Sequence, residues 1–181
     1  MKKSNMNYEY IQILQSKLEE LETQYWLEYN LFSFQWWILL IVLILPWVIW
    51  SRYVERKRRK EILLFGALLI ILVGLLDDLG VSLNLWSYPY KLTNLISRLA
   101  AIDYGIIIVA HMFIYQYFRE WKSFIIANVI LAAIFTFIAE PITVWLGIYK
   151  LDNWKYIYSF PIYILKTALI KWIVDVHLEK P

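Results

Sequence analysis

Five stretches of this 181-residue chain are mostly apolar for about 20 residues, the length a helix of 1.5 Å rise per residue needs to cross the hydrocarbon of a bilayer. They lie at about 32–50, 62–85, 95–118, 124–148 and 156–176, each bounded by charges or turn formers. A water-soluble domain could not cover five such helices. With 61% hydrophobic and 18% charged residues, against roughly 45–50% apolar in soluble domains, the chain has too little polar surface. The spans predict an all-α fold, an integral membrane bundle of five transmembrane helices over 32–181, whose first partner is the lipid bilayer. Pro46 lies inside the first span, where membrane helices tolerate a kink without being cut.

Tryptophans mark the ends of the spans. Trp36, Trp37, Trp47, Trp50, Trp86, Trp121, Trp145, Trp154 and Trp172 fall at or near a boundary, the pattern of an interfacial aromatic belt. Basic residues then set the orientation. Arg52, Arg56, Lys57, Arg58, Arg59 and Lys60, with Arg119, Lys122 and Lys180, place nine on one side, against Lys91, Lys150, Lys155, Lys2, Lys3 and Lys17 on the other. The excess predicts a cell-membrane protein with its N-terminus outside and its C-terminus cytoplasmic. Lys2 and Lys3 lead into polar sequence and not an apolar stretch, so a secretory leader is not expected. Residues 1–31 have their own character. Ile11, Leu14, Leu18, Leu21 and Tyr25 recur three and four apart, with Lys17, Glu19, Glu20 and Glu22 off that stripe, which predicts an extracytoplasmic amphipathic helix. It can lie on the membrane, pack on the bundle, or pair with another copy to form an oligomer.

Composition excludes several chemistries. The net charge of +3 is too small and scattered for nucleic acid. With no cysteine and only His111 and His177 as imidazoles, no thiol chemistry, no metal site and no cofactor are expected. Phosphate loops, nucleophile elbows and zinc helices are absent.

Ionisable residues inside spans cost about 2.5–3.5 kcal/mol each at mid-bilayer, so they must face inward. Asp77 and Asp78 precede Trp86 by about nine residues and Glu140 precedes Tyr149 by nine, which is roughly 13 Å of helix. Asp103 on the third span and Lys166 on the fifth reach similar depth. Pairing of Lys166 with Glu140 or an aspartate is the cheapest arrangement. His111 and Tyr115 share a face with Tyr104 and extend the strip along the third helix. Ala101 and Gly105, four apart, allow another helix to approach beside Asp103. The layer admits two uses, as a fastener between helices or as a site for a ligand, ion or proton. Asp78, Asp103 and Glu140 are the candidate acids, and Asp77, Trp86, His111, Tyr115, Tyr149 and Lys166 the candidate ligand contacts. A binding or structural protein comes first, a lipid-modifying enzyme second, a proton- or ion-coupled transporter third. An offset of 63 sets Asp77, Leu83, Leu85 and Trp86 on Glu140, Leu146, Ile148 and Tyr149, which suggests two helical hairpins repeated in parallel.

Through Tyr25-Trp26-Leu27, Gln35-Trp36-Trp37, Pro46-Trp47, Asp78-Leu79-Gly80, Trp86-Ser87-Tyr88, Tyr115-Gln116-Tyr117, Glu140-Pro141-Ile142 and Trp154-Lys155, the chain resembles a family of small, uncharacterised multi-pass membrane proteins of spore-forming Gram-positive bacteria. More remotely, the repeated unit is similar to the lycopene cyclase domain of carotenoid synthesis. Asp78, Gly80 and Trp86 match the first acid, glycine and aromatic exit of that domain, and Glu140, Gly147 and Tyr149 the second. The positions of its Pro-x-Glu motif hold Ala101-Ile102-Asp103 and Pro161-Ile162-Tyr163. The resemblance implies an isoprenoid or other lipid as the ligand.

Overall fold

A computed structural model describes residues 8–178, about four-fifths of them helical. Lys2, Lys3 and Lys180 of the charge count lie outside those residues. Helix α1 (Tyr8–Tyr25) runs through a π-helical turn (Trp26–Asn30) toward α2 (Phe34–Tyr53). A 3-10 turn leads into α3 (Arg59–Ser82), and after a long loop come α4 (Ala100–Ile102) and α5 (Ile108–Tyr117), joined by a π-helical turn at Asp103–Ile107. Then follow α6 (Trp121–Ile134), a third π-helical turn (Phe135–Ala139), α7 (Glu140–Trp145) and α8 (Tyr156–Leu178). Strand β1 (Trp86–Ser87) pairs antiparallel with β2 (Lys150–Leu151), Trp86 opposite Leu151.

Among the described residues, five helical segments are long and apolar enough to cross a membrane: Phe34–Tyr53, Arg56–Ser82, Ala100–Tyr117, Trp121–Trp145 and Tyr156–His177. Ile41, Leu75, Leu79, Ile130 and Leu165 point outward from them, a belt that water would penalise and hydrocarbon would not. Pro46 sits inside a continuous α2. The third span begins at Ala100 and not near 95. Leu95 is 85% exposed, and the loop from Leu83 to Leu99 folds over the end of the bundle, where the backbone N–H of Leu99 donates to Asp77 Oδ2 at 3.2 Å.

Two glycines fix how close the elements come. A Cβ on Gly105 would collide with the backbone of Val42 and Leu43, so α2 crosses the third span in contact with its main chain. A Cβ on Gly80 would enter the Trp86 ring, so this glycine is what lets the loop lay its indole on α3. The amphipathic helix is present as α1, with no buried residue of its own. It is held from below: Asn94 Nδ2 donates to Thr23 Oγ1 at 2.7 Å, Trp26 Nε1 to the Lys91 carbonyl at 3.0 Å, and Asn30 Nδ2 to the Pro89 carbonyl at 3.1 Å.

The tryptophans divide into two groups. Trp37, Trp121, Trp145 and Trp172 are exposed, as a belt requires. Others act as staples, with Trp36 Nε1 donating to Leu92 O at 3.1 Å and Trp47 Nε1 to Tyr104 O at 2.7 Å. The Tyr104 carbonyl belongs to the π-helical turn, and the indole supplies it with a donor from α2.

Candidate functional site

At the end of the bundle covered by the long loop, the helices separate around a cavity of about 340 Å³. Its walls are mainly hydrocarbon from Leu39, Val73, Ile107, Phe135 and Ile148, and one region carries Asp77, Asp103, Glu140 and Lys166. Two π-helical turns, Asp103–Ile107 and Phe135–Ala139, lie in this wall. Such turns insert a residue into a helix and re-aim the side chains beyond it. Ile106 and Ile142 line the cavity yet are 38% and 49% exposed, so they mark a lateral mouth between the third and fourth spans.

Each acid has a different environment. Asp77 is 6% exposed; its Oδ1 accepts from Trp86 Nε1 at 2.7 Å and from the Tyr88 hydroxyl, and its Oδ2 from Leu99 N. Three donors fully engage it and pin the loop. Glu140 accepts from Ser159 Oγ at 3.1 Å, and Ser159 in turn accepts from Trp154 Nε1 at 3.0 Å. Tyr163 also reaches Glu140. Asp103, 7% exposed, lies beside Asp77 on the cavity wall. No donor among the described residues reaches its Oδ2.

Lys166 is 8% exposed and forms no ion pair among the described residues. The expected pairing with Glu140 or an aspartate is therefore corrected. The ammonium lies instead 4.1 Å from the Tyr163 ring centroid, a cation–π contact, with the acids around it at longer range. Asp78 is corrected too, since its carboxylate leaves the layer for Arg98 at 2.8 Å and is 45% exposed. Adjacent helical residues point about 100° apart, so only one of the two aspartates can face the cavity.

Of the remaining candidates, Trp86 and Tyr149 line the cavity. His111 lies deeper, fully buried against Phe135, with Nδ1 bonded to the Ile107 carbonyl at 2.6 Å. Tyr115 belongs to a separate cluster at the opposite end of the bundle. There its hydroxyl donates to Glu61 at 2.6 Å, Arg58 holds Glu61 at 2.6 Å, and Lys171 pairs with Asp175 at 2.8 Å. Tyr88, Tyr163 and Ser159 were not singled out in the sequence, although Tyr88 stacks on Tyr149 at 5.6 Å and burial pushes its phenol well above the usual tyrosine range. Among the described residues no group of His, Asp and Glu could hold a metal ion.

The arrangement can hold an apolar body among hydrocarbon and present a carboxyl oxygen and an ammonium to its polar group. No family model, curated protein or solved structure matches the chain.

Proposed function

We propose that this is a multi-pass membrane protein that binds an apolar small molecule bearing one polar group. Its N-terminus is outside and its C-terminus cytoplasmic. One observation carries the binding role: a hydrocarbon-walled cavity of about 340 Å³ has two buried polar groups on it, Asp103 Oδ2, without a hydrogen-bond donor, and the Lys166 ammonium, without an ion pair, among the described residues. Buried polar atoms are ordinarily satisfied, and a fastener would have closed on itself. The basic cluster from Arg52 to Lys60 supports the orientation, since it resists translocation. With this orientation the cavity opens toward the outer leaflet. Asp77 and Glu140 flanking one cavity, with the segments after them paired as β1 and β2, supports the repeat of two parallel hairpins.

Extraction of the protein purified in a mild detergent, followed by mass spectrometry of the lipid-soluble fraction, tests the binding role. We expect one compound enriched over bulk membrane lipid and lost from Ile142→Trp, which fills the mouth. An extract indistinguishable from bulk lipid for both proteins would contradict it.

A second reading, an isoprenoid- or lipid-modifying enzyme, draws on Asp103, a buried carboxyl on the cavity wall placed to offer a proton to a bound alkene. Recovery of a rearranged product from the parent, and of its precursor from Asp103→Asn, would favour that reading.

A further inference from the structure

We infer that the polar group of the guest is a cation, an amine or quaternary ammonium on a hydrocarbon body; this rests on the cavity being a binding site. The wall holds three carboxyls, Asp77, Asp103 and Glu140, and one amine, Lys166. Arg98, whose charge also reaches Asp103, is held by Asp78 at 2.8 Å and does not line the cavity. Three carboxyls against one amine leave the wall richer in acids than in bases, an imbalance for the guest to answer. In a hydrocarbon-walled site that imbalance is expensive, and a cationic guest removes it.

The free acceptor is where such a guest would need it. Asp77 is occupied by three donors and Glu140 by Ser159, whereas Asp103 Oδ2 has none among the described residues and is nine-tenths buried on the cavity wall. Aromatic faces complete the cradle, because Trp86, Tyr88, Tyr149 and Tyr163 all line the same space and ring faces attract cations. An anion would meet three carboxyls and one ammonium already seated on a ring. A neutral alcohol could donate to Asp103 but would leave the charge unbalanced.

Three probes of equal chain length separate these cases: decyltrimethylammonium, decanol and decanoate, titrated below their micellar concentrations into protein held in a nonionic maltoside detergent, with affinity read from thermal stabilisation. We expect the cation to bind about tenfold more tightly than the alcohol, and decanoate more weakly than either. Asp103→Asn with Glu140→Gln should abolish the preference for the cation. Lys166→Met, which removes the competing positive charge, should increase it, and keeps the test decisive if the double variant does not fold. Competition by added phosphatidylethanolamine would make the cation a lipid headgroup, and its absence a free amine. Equal binding of cation and alcohol, or a preference unchanged in Lys166→Met, would overturn the inference and leave the binding role intact. Failure of all three probes to stabilise the protein, with Ile142→Trp indifferent to them, would instead sink the binding role.

Discussion

The two ends of the bundle are built from the same chemistry and packed in opposite ways. At the basic end, Lys171 pairs with Asp175 at 2.8 Å. Its ammonium also lies between the rings of Tyr115, Trp121 and Phe124, at 5.1 to 5.2 Å. Tyr115 stacks on Phe65 at 4.3 Å while its hydroxyl bridges Glu61 and Asp175, and Arg58 grips both oxygens of Glu61. Each charge of that cluster, Lys171, Asp175, Glu61 and Arg58, has a partner. At the cavity end, among the described residues, Lys166 has a ring but no carboxylate within ion-pair distance, Asp103 has an oxygen without a donor, and the space between is open. Thus a buried lysine, acids and tyrosines make a fastener when they close on each other. When the helices hold them apart, they leave interactions for a guest.

The largest effect should fall on the closed cluster. Lys171→Ala strips Asp175 of its partner and exposes the phenol network to a void, so we expect about 3–5 kcal/mol of lost stability in denaturant unfolding. Replacing Asp175 as well, with Lys171→Met and Asp175→Leu, should recover much of it. Next comes a contrast within the cavity. Asp77→Ala leaves the Trp86 and Tyr88 donors buried without an acceptor and should cost about 2–3 kcal/mol. Asp103→Asn should cost under about 1 kcal/mol, since it removes a group that lacks a full set of partners. Equal losses at the two positions would erase the distinction.

A smaller signal sharpens it further. In a double-mutant cycle, Glu140→Gln and Lys166→Met should couple by less than about 0.5 kcal/mol, because the two groups form no direct pair, whereas Lys171 and Asp175 should couple by more than about 1 kcal/mol. The smallest effect appears only in alkali. Burial and the Asp77 carboxylate raise the Tyr88 phenol above its ordinary value of 10.0. A group raised on folding contributes stability that is full below its unfolded value and is lost as pH climbs through the folded one. The protein should therefore lose stability above about pH 10, and Tyr88→Phe should flatten that loss.

Much of this was legible before any coordinates. The spans were, because continuous apolar runs of that length have few other uses, and the common depth of Asp77, Asp103, Glu140 and Lys166 follows from counting residues to the aromatic exits. Gly105 announced the close approach of a neighbouring helix. What could not be read was direction. Asp77 and Asp78 are adjacent and chemically equal, and only the packing of the Trp86–Tyr88 loop on Gly80 decides which turns inward. Likewise Lys171 and Asp175 lie four apart in the fifth span, a spacing that permits an ion pair, but only the packing of Tyr115, Trp121 and Phe124 around the ammonium closes the cluster. Tyr88 and Tyr163 stand in the segments that carry the resemblance, but nothing in the sequence marks them or Ser159 as partners of the buried acids, because a tyrosine or serine near a span end is common and its partner comes from another element. The π-helical turns beside Asp103 and Phe135 leave no pattern that periodicity would detect.

The contrast between a closed and an open cluster is tested most directly by an experimental density map of the protein purified in mild detergent. We expect non-protein density between Ile106 and Ile142 that reaches Asp103, with the Lys166 ammonium still over the Tyr163 ring. A collapsed cavity, with Lys166 seated on Asp103 or Glu140 as tightly as Lys171 sits on Asp175, would make both ends fasteners and contradict it.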